Sequence, residues 1–159
     1  MTSLHPLIIH FPVALLLSAV MFAVLALLLK QQKQIFINLL TGNLILGTLG
    51  IIASAVSGVI TAKTLIHNNN IHEILEIHEL LGYLLTTAYI ILSVWILIRK
   101  NKMKIKELFL FVFILTSFSV VLAYSSHLGG RMVYEEGAGV KPVMEMIKSQ
   151  QHNSVEHSH

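Results

Sequence analysis

Four long apolar stretches make up most of this chain, covering residues 7–29, 35–61, 77–98 and 108–126, with short polar segments between them. Each offers the roughly 20 residues that an α-helix needs to cross the hydrocarbon of a bilayer. Connections this short make neighbouring helices antiparallel. The pattern therefore predicts an all-α fold, a four-transmembrane-helix up-down bundle with the first and third helices facing across a diagonal. The bundle is expected over residues 1–130. Residues 131–159 are read as an outward-facing tail, in which Pro142 is placed to start a short interfacial helix with Val140, Val143, Met144 and Ile147 along one side.

Composition sharpens the class. With 55% hydrophobic and 12% charged residues over 159 positions, no soluble core could absorb four such stretches. The net charge of +3 is unevenly spread. Lys30 and Lys33 lie between the first two segments, and Arg99, Lys100, Lys102, Lys104 and Lys106 between the last two, so seven of the eleven Lys and Arg share one side. That side is expected to be cytoplasmic. Glu73, Glu76, Glu79, Glu135, Glu136, Glu145 and Glu156 lie on the other side with every histidine. Both termini are therefore expected outside, in a multi-pass protein of the bacterial inner membrane. The basic balance reports topology, and no nucleic-acid partner follows from it. The N-terminus lacks the positive region of a cleavable signal, so the first segment is expected to remain. Cysteine is absent, which excludes disulfides, thiolate metal sites, iron–sulfur clusters and covalently attached haem.

Small and polar residues recur at steps of three and four within the helices. On helix two these are Asn43, Gly47, Gly50, Ser54, Ser57 with Gly58, and Thr61. Helix one carries His10, Ala14 and Ser18, helix three His78, Gly82, Thr86 or Tyr89, and Ser93, and helix four Thr116, Ala123 or Tyr124, and His127. Such faces are predicted to look inward, where backbones or a flat ligand approach closely.

Five of the nine histidines cluster at one end: His5 and His10 entering helix one, His72 and His78 entering helix three, and His127 leaving helix four, with His67 in the preceding loop. Ionisable groups at membrane depth are costly, which makes such a cluster a site hypothesis. His10 and His78 are expected to face each other at similar depth, as a bis-histidine b-type haem requires. His127 is expected at a comparable level, able to replace either axial partner or ligate a second centre. His5 and His72 fall farther out, suited to haem propionates or a second metal, although His67 and His72 beside Asn68, Asn69 and Asn70 also fit a solvated loop. Arg131 and Tyr134, just past helix four, are the propionate partners by charge and reach. Gly129 and Gly130 are expected to turn the chain sharply after His127, and Gly137 and Gly139 to bring the tail back under the outer face.

Sharper motifs fail on spacing. His72 and His78 are six apart, whereas the zinc-protease helix needs four. The acids Glu73, Glu76 and Glu79 all belong to one helix start, unlike a di-iron carboxylate bundle. Gly137, Ala138 and Gly139 lack the Lys and hydroxyl of a phosphate loop. Met144 and Met146 with His152, His157 and His159 suit loose copper or zinc binding, and more simply a polar, disordered end.

The run His5-Pro6-Leu7-Ile8-Ile9-His10-Phe11-Pro12, His78 with Gly82, and His127-Leu128-Gly129-Gly130-Arg131-Met132-Val133-Tyr134 followed by Gly137-Ala138-Gly139-Val140 resemble domain-of-unknown-function family 2231. The likeness spans residues 5 to about 140. Similar domains occur joined to Rieske or c-type haem modules, so the resemblance implies membrane electron transfer with a separate redox partner protein. Three readings stand at this point: a haem b electron carrier working between the quinone pool and an external acceptor, a binder of copper, zinc or iron ions through His5, His10, His72, His78 and His127, and a structural subunit of a respiratory complex. Oligomeric state is open, a homo-oligomer included.

Overall fold

The computed structural model describes the backbone of residues 5–62, 69–138 and 146, and the side chains of residues 9–60, 71–138 and 146. Four helices, α1 (His5–Leu28), α2 (Lys33–Ala62), α3 (Asn69–Arg99) and α4 (Ile105–Tyr134), follow one another, with a 3₁₀ turn at Lys30–Gln32. All four are long and apolar enough to span a bilayer. They pack in ring order, α1 on α2, α2 on α3, α3 on α4 and α4 on α1, and among the described residues neither diagonal pair brings its backbones within 8 Å. The chain is a membrane-spanning four-helix bundle.

Side-chain pairings fix direction and register. A Cβ placed on Gly47 would lie 2.7 Å from Leu16, and one on Gly50 2.7 Å from Pro12, so α1 and α2 run antiparallel with backbones nearly touching. Thr48 shares a 2.8 Å hydroxyl bond with Ser93 and lies 3.4 Å from the Tyr89 carbonyl, which sets α2 against α3. The fully buried Tyr89 meets Ser119 at 3.1 Å across the α3–α4 contact. These hydroxyl pairs stitch three helices at mid-depth, where no water competes for them. At the cationic end, Arg99 grips Glu107 through Nε at 2.8 Å and Nη2 at 2.9 Å, and Trp95 Nε1 donates to the same carboxylate. Lys33 Nζ donates to the Met103 carbonyl at 3.0 Å, joining the two loops of that end. Leu16, Ala23, Leu40, Leu44, Ile96, Phe111 and Leu115 fill the core between, while Leu46, Ile60, Ile91, Phe109, Phe113 and Val120 face outward as a lipid solvent allows.

Two expectations change. α3 begins at Asn69 and α4 continues to Tyr134, each about two turns past the hydrophobic segment that announced it. The extensions hold because Ile71, with Ile74 and Leu75, packs against Met132 and Ala138. Gly129 and Gly130 therefore lie inside α4, and so do Arg131 and Tyr134. The chain turns instead at Gly137, whose φ is 67°, a left-handed conformation suited to glycine. Ala138 N–H then donates to the Met132 carbonyl at 2.8 Å. The inward face of α4 also differs. Thr116, Ala123, Tyr124 and His127 are exposed, and the buried line is Leu108, Phe111, Leu115, Ser119, Leu122, Ser125, Leu128 and Met132. Helical hydroxyls tolerate a lipid face because they bond their own backbone, as Ser117 does to Phe113 O at 2.9 Å. On α1, likewise, His10 and Ala14 of the expected inward stripe are exposed, and Pro12, Leu16, Ala19 and Ala23 form the packed seam.

Candidate functional site

A cavity of about 290 Å³ opens between the four helices at the end opposite the Lys and Arg loops. That volume is near the ~300 Å³ lower bound of typical small-molecule pockets. All four helices line it, and both His10 and His78 do so.

His78 is the better prepared of the two. Its Nδ1 lies 3.0 Å from the Ser125 carbonyl oxygen and 3.3 Å from the Ser125 hydroxyl. A carbonyl only accepts, so Nδ1 carries the ring proton and the neutral imidazole presents Nε2 as a lone pair. Among the described residues Nε2 has no protein partner. The ring rests on Gly129, where a Cβ would come within 3.3 Å of His78 Cε1. That contact explains a glycine inside α4 where the sequence suggested a turn.

His10 sits deeper. It lies two residues outward of Pro12, which faces Gly50, and so falls level with Ile52. The Thr48 pairings carry that level to about Thr86 on α3, leaving His78 about eight residues farther out, roughly 12 Å at 1.5 Å per residue. The two histidines bracket the cavity obliquely. Depth counted from each helix start hid this offset, because by the same register α3 starts about twelve residues, roughly three turns, farther out than α1.

The other histidines are dispersed. His72 is exposed on the extension of α3 and pairs with Glu76 at 3.3 Å. His127 is exposed beside a separate shallow depression shared with Gly130, Arg131, Tyr134 and Glu135. Arg131 Nε is engaged by Glu135 at 2.9 Å, and Tyr134 borders both hollows. The side chain of His5 lies outside the described residues, as do His67, the tail histidines and the expected helix at 140–147 apart from the exposed Met146. Among the described residues no three His, Asp or Glu side chains gather as a metal ion would need.

The remaining walls contain what sequence reasoning passed over. Gly82 and Gly130 border the cavity, and a Cβ on either would meet nothing within 4 Å. Glu79 adds one half-buried carboxylate. Ser54 and Ser126 also line it, and their hydroxyls are the two buried side-chain polar atoms without a partner among the described residues. Ser54 stood in the helix-two stripe, but nothing in its spacing separated it from the packing glycines Gly47 and Gly50. The profile of the family of predicted membrane proteins designated DUF2231 matches residues 1–142. Comparison with curated proteins and with solved structures returns no match.

Proposed function

This chain belongs to the DUF2231 family of membrane proteins, and from that premise we propose that it is an electron-transfer protein of the bacterial inner membrane that holds a b-type haem in the cavity between its helices. The observation that carries the reading is His78, whose Nδ1 proton is committed to a backbone carbonyl while Nε2 is left free in an apolar cavity. Haem- and metal-ligating histidines are oriented by this kind of bond, which fixes the tautomer and raises the basicity of the free nitrogen. His78 is the axial donor in this proposal, and His10, about 12 Å deeper by register and exposed, borders the inner part of the cavity without reaching the same iron. Gly82 and Gly130 leave the room a flat macrocycle needs, and the orphaned hydroxyls of Ser54 and Ser126 leave hydrogen-bonding capacity unused. Bound there, haem would supply reversible one-electron carriage. The protein supplies the ligands, excludes water and holds the site near the outer leaflet, with the cationic loops in the cytoplasm. Electrons then pass between the quinone pool and a separate partner protein outside.

Reading the cavity as a site for a bare copper, zinc or iron ion requires three or more donors, and no three His, Asp or Glu side chains gather among the described residues. A reduced-minus-oxidised spectrum of the purified protein, with haem extraction, tests the proposal. A Soret band and one haem per chain are expected. Protein that stays colourless after purification and after reconstitution with haemin sinks it.

A further inference from the structure

Ser54 and Ser126 behave unlike the hydroxyls around them. Buried or half-buried helical Ser and Thr in this bundle are otherwise satisfied: Thr41, Thr48 and Thr86 bond the carbonyl four residues back, Ser93 bonds Thr48, and Ser119 bonds Tyr89. Ser54, only 3% exposed, and the hydroxyl of Ser126 have no such partner. A buried hydroxyl left unpaired costs about 1–3 kcal/mol. Both border the same cavity. They stand on α2 and α4, the diagonal not occupied by the histidines, with Ser126 near the level of His78 and Ser54 farther in.

We infer that Ser54 and Ser126 are binding residues that donate hydrogen bonds to oxygen atoms of the cavity's occupant, which is a flat apolar redox ring carrying acceptor oxygens toward two opposite walls. A benzoquinone headgroup, with carbonyl oxygens at opposite ends of its ring, has that chemistry, whereas the two propionates of haem leave one edge of the macrocycle and would reach only one of the two hydroxyls. The inference rests on the cavity being a cofactor site, as proposed above, and not on the cofactor being haem.

The test uses the full chain in detergent, freed of pigment and lipid extract, and titrated separately with haemin and with a short-chain benzoquinone. Wild type, Ser54→Ala, Ser126→Ala and His78→Ala are compared by affinity and by thermal unfolding with and without probe. Each serine variant should bind the accepted probe about five- to tenfold more weakly, the value of one hydrogen bond. Its ligand-free melting temperature should hold or rise, because an unsatisfied buried hydroxyl has been removed. A merely structural hydroxyl would do the reverse, lowering ligand-free stability and leaving affinity alone. Benzoquinone affinity that falls at both serine variants is the expected result, and haemin affinity that falls at both would overturn the arrangement of oxygens toward two opposite walls. Binding that either serine variant leaves unchanged overturns the hydroxyl assignment while the cofactor reading stands. Failure of both probes to bind wild type overturns the two together.

Discussion

The interhelical seams of this bundle and its cavity are built on opposite plans. In the seams Gly47 and Gly50 receive Leu16 and Pro12, Thr48 pairs with Ser93, and Glu107 is held by Arg99 and Trp95. Around the cavity Gly82 and Gly130 face empty space, the buried hydroxyls of Ser54 and Ser126 lack partners among the described residues, and the His78 imidazole offers a free nitrogen. The same residue types, Gly, Ser and Thr, therefore mean packing in the seams and vacancy at the cavity. What distinguishes them is whether the facing helix supplies a side chain at that depth.

The largest effect expected from this contrast is at His78. His78→Ala should abolish haem binding, whereas His10→Ala should leave haem bound with its Soret position unchanged. Silence at His78 with loss at His10 would reverse the roles assigned by register. Next in size is Gly50→Ala, whose Cβ would lie 2.7 Å from the rigid Pro12 ring. Overpacking of that kind costs about 1–3 kcal/mol, measured as a lower unfolding midpoint in detergent. The identical change at Gly82 should have the opposite sign. It meets no atom, so ligand-free stability should rise by about 0.5–1 kcal/mol from the helix preference of alanine, while cofactor affinity falls. Equal destabilisation at both glycines would erase the distinction between seam and cavity. Smallest is Tyr89→Phe, which removes the bond to Ser119 and should cost about 0.6 kcal/mol, the usual value for a hydrogen bond between membrane helices, without altering any spectrum.

Much of the fold was legible because bilayer thickness dictates segment length, and four apolar runs of that length leave few alternatives. Helix ends were not. The extensions at 69–76 and 127–134 are amphipathic, stabilised by Ile71 on Met132 and not by lipid, so hydropathy falls where the helix does not stop. The spacing of Ile71, Ile74, Leu75 and His78 continues the helical period upstream and could have signalled it. For the site, residue type pointed to His10 and His78, and the structure brings both to one cavity. Their depth depends on how far α3 slides along α1, which only interhelical pairs such as Thr48 with Ser93 determine. Gly129 was misread because glycine marks both a turn and a place where another ring lies against the backbone.

The bond from His78 to Ser125 also sets an order of events during biosynthesis. A chain emerges N-terminus first, and α1 and α2, with their interlocked glycine seam, can close as a hairpin before α4 exists. His78 arrives with α3 while the carbonyl that will take its Nδ1 proton is still unmade, near the end of the last helix. Until then either ring nitrogen can carry the proton and one wall of the cavity is missing. On the proposed reading, competence to accept a cofactor is thus acquired on insertion of the fourth helix, and a truncated or stalled chain carries His78 without the carbonyl that orients it.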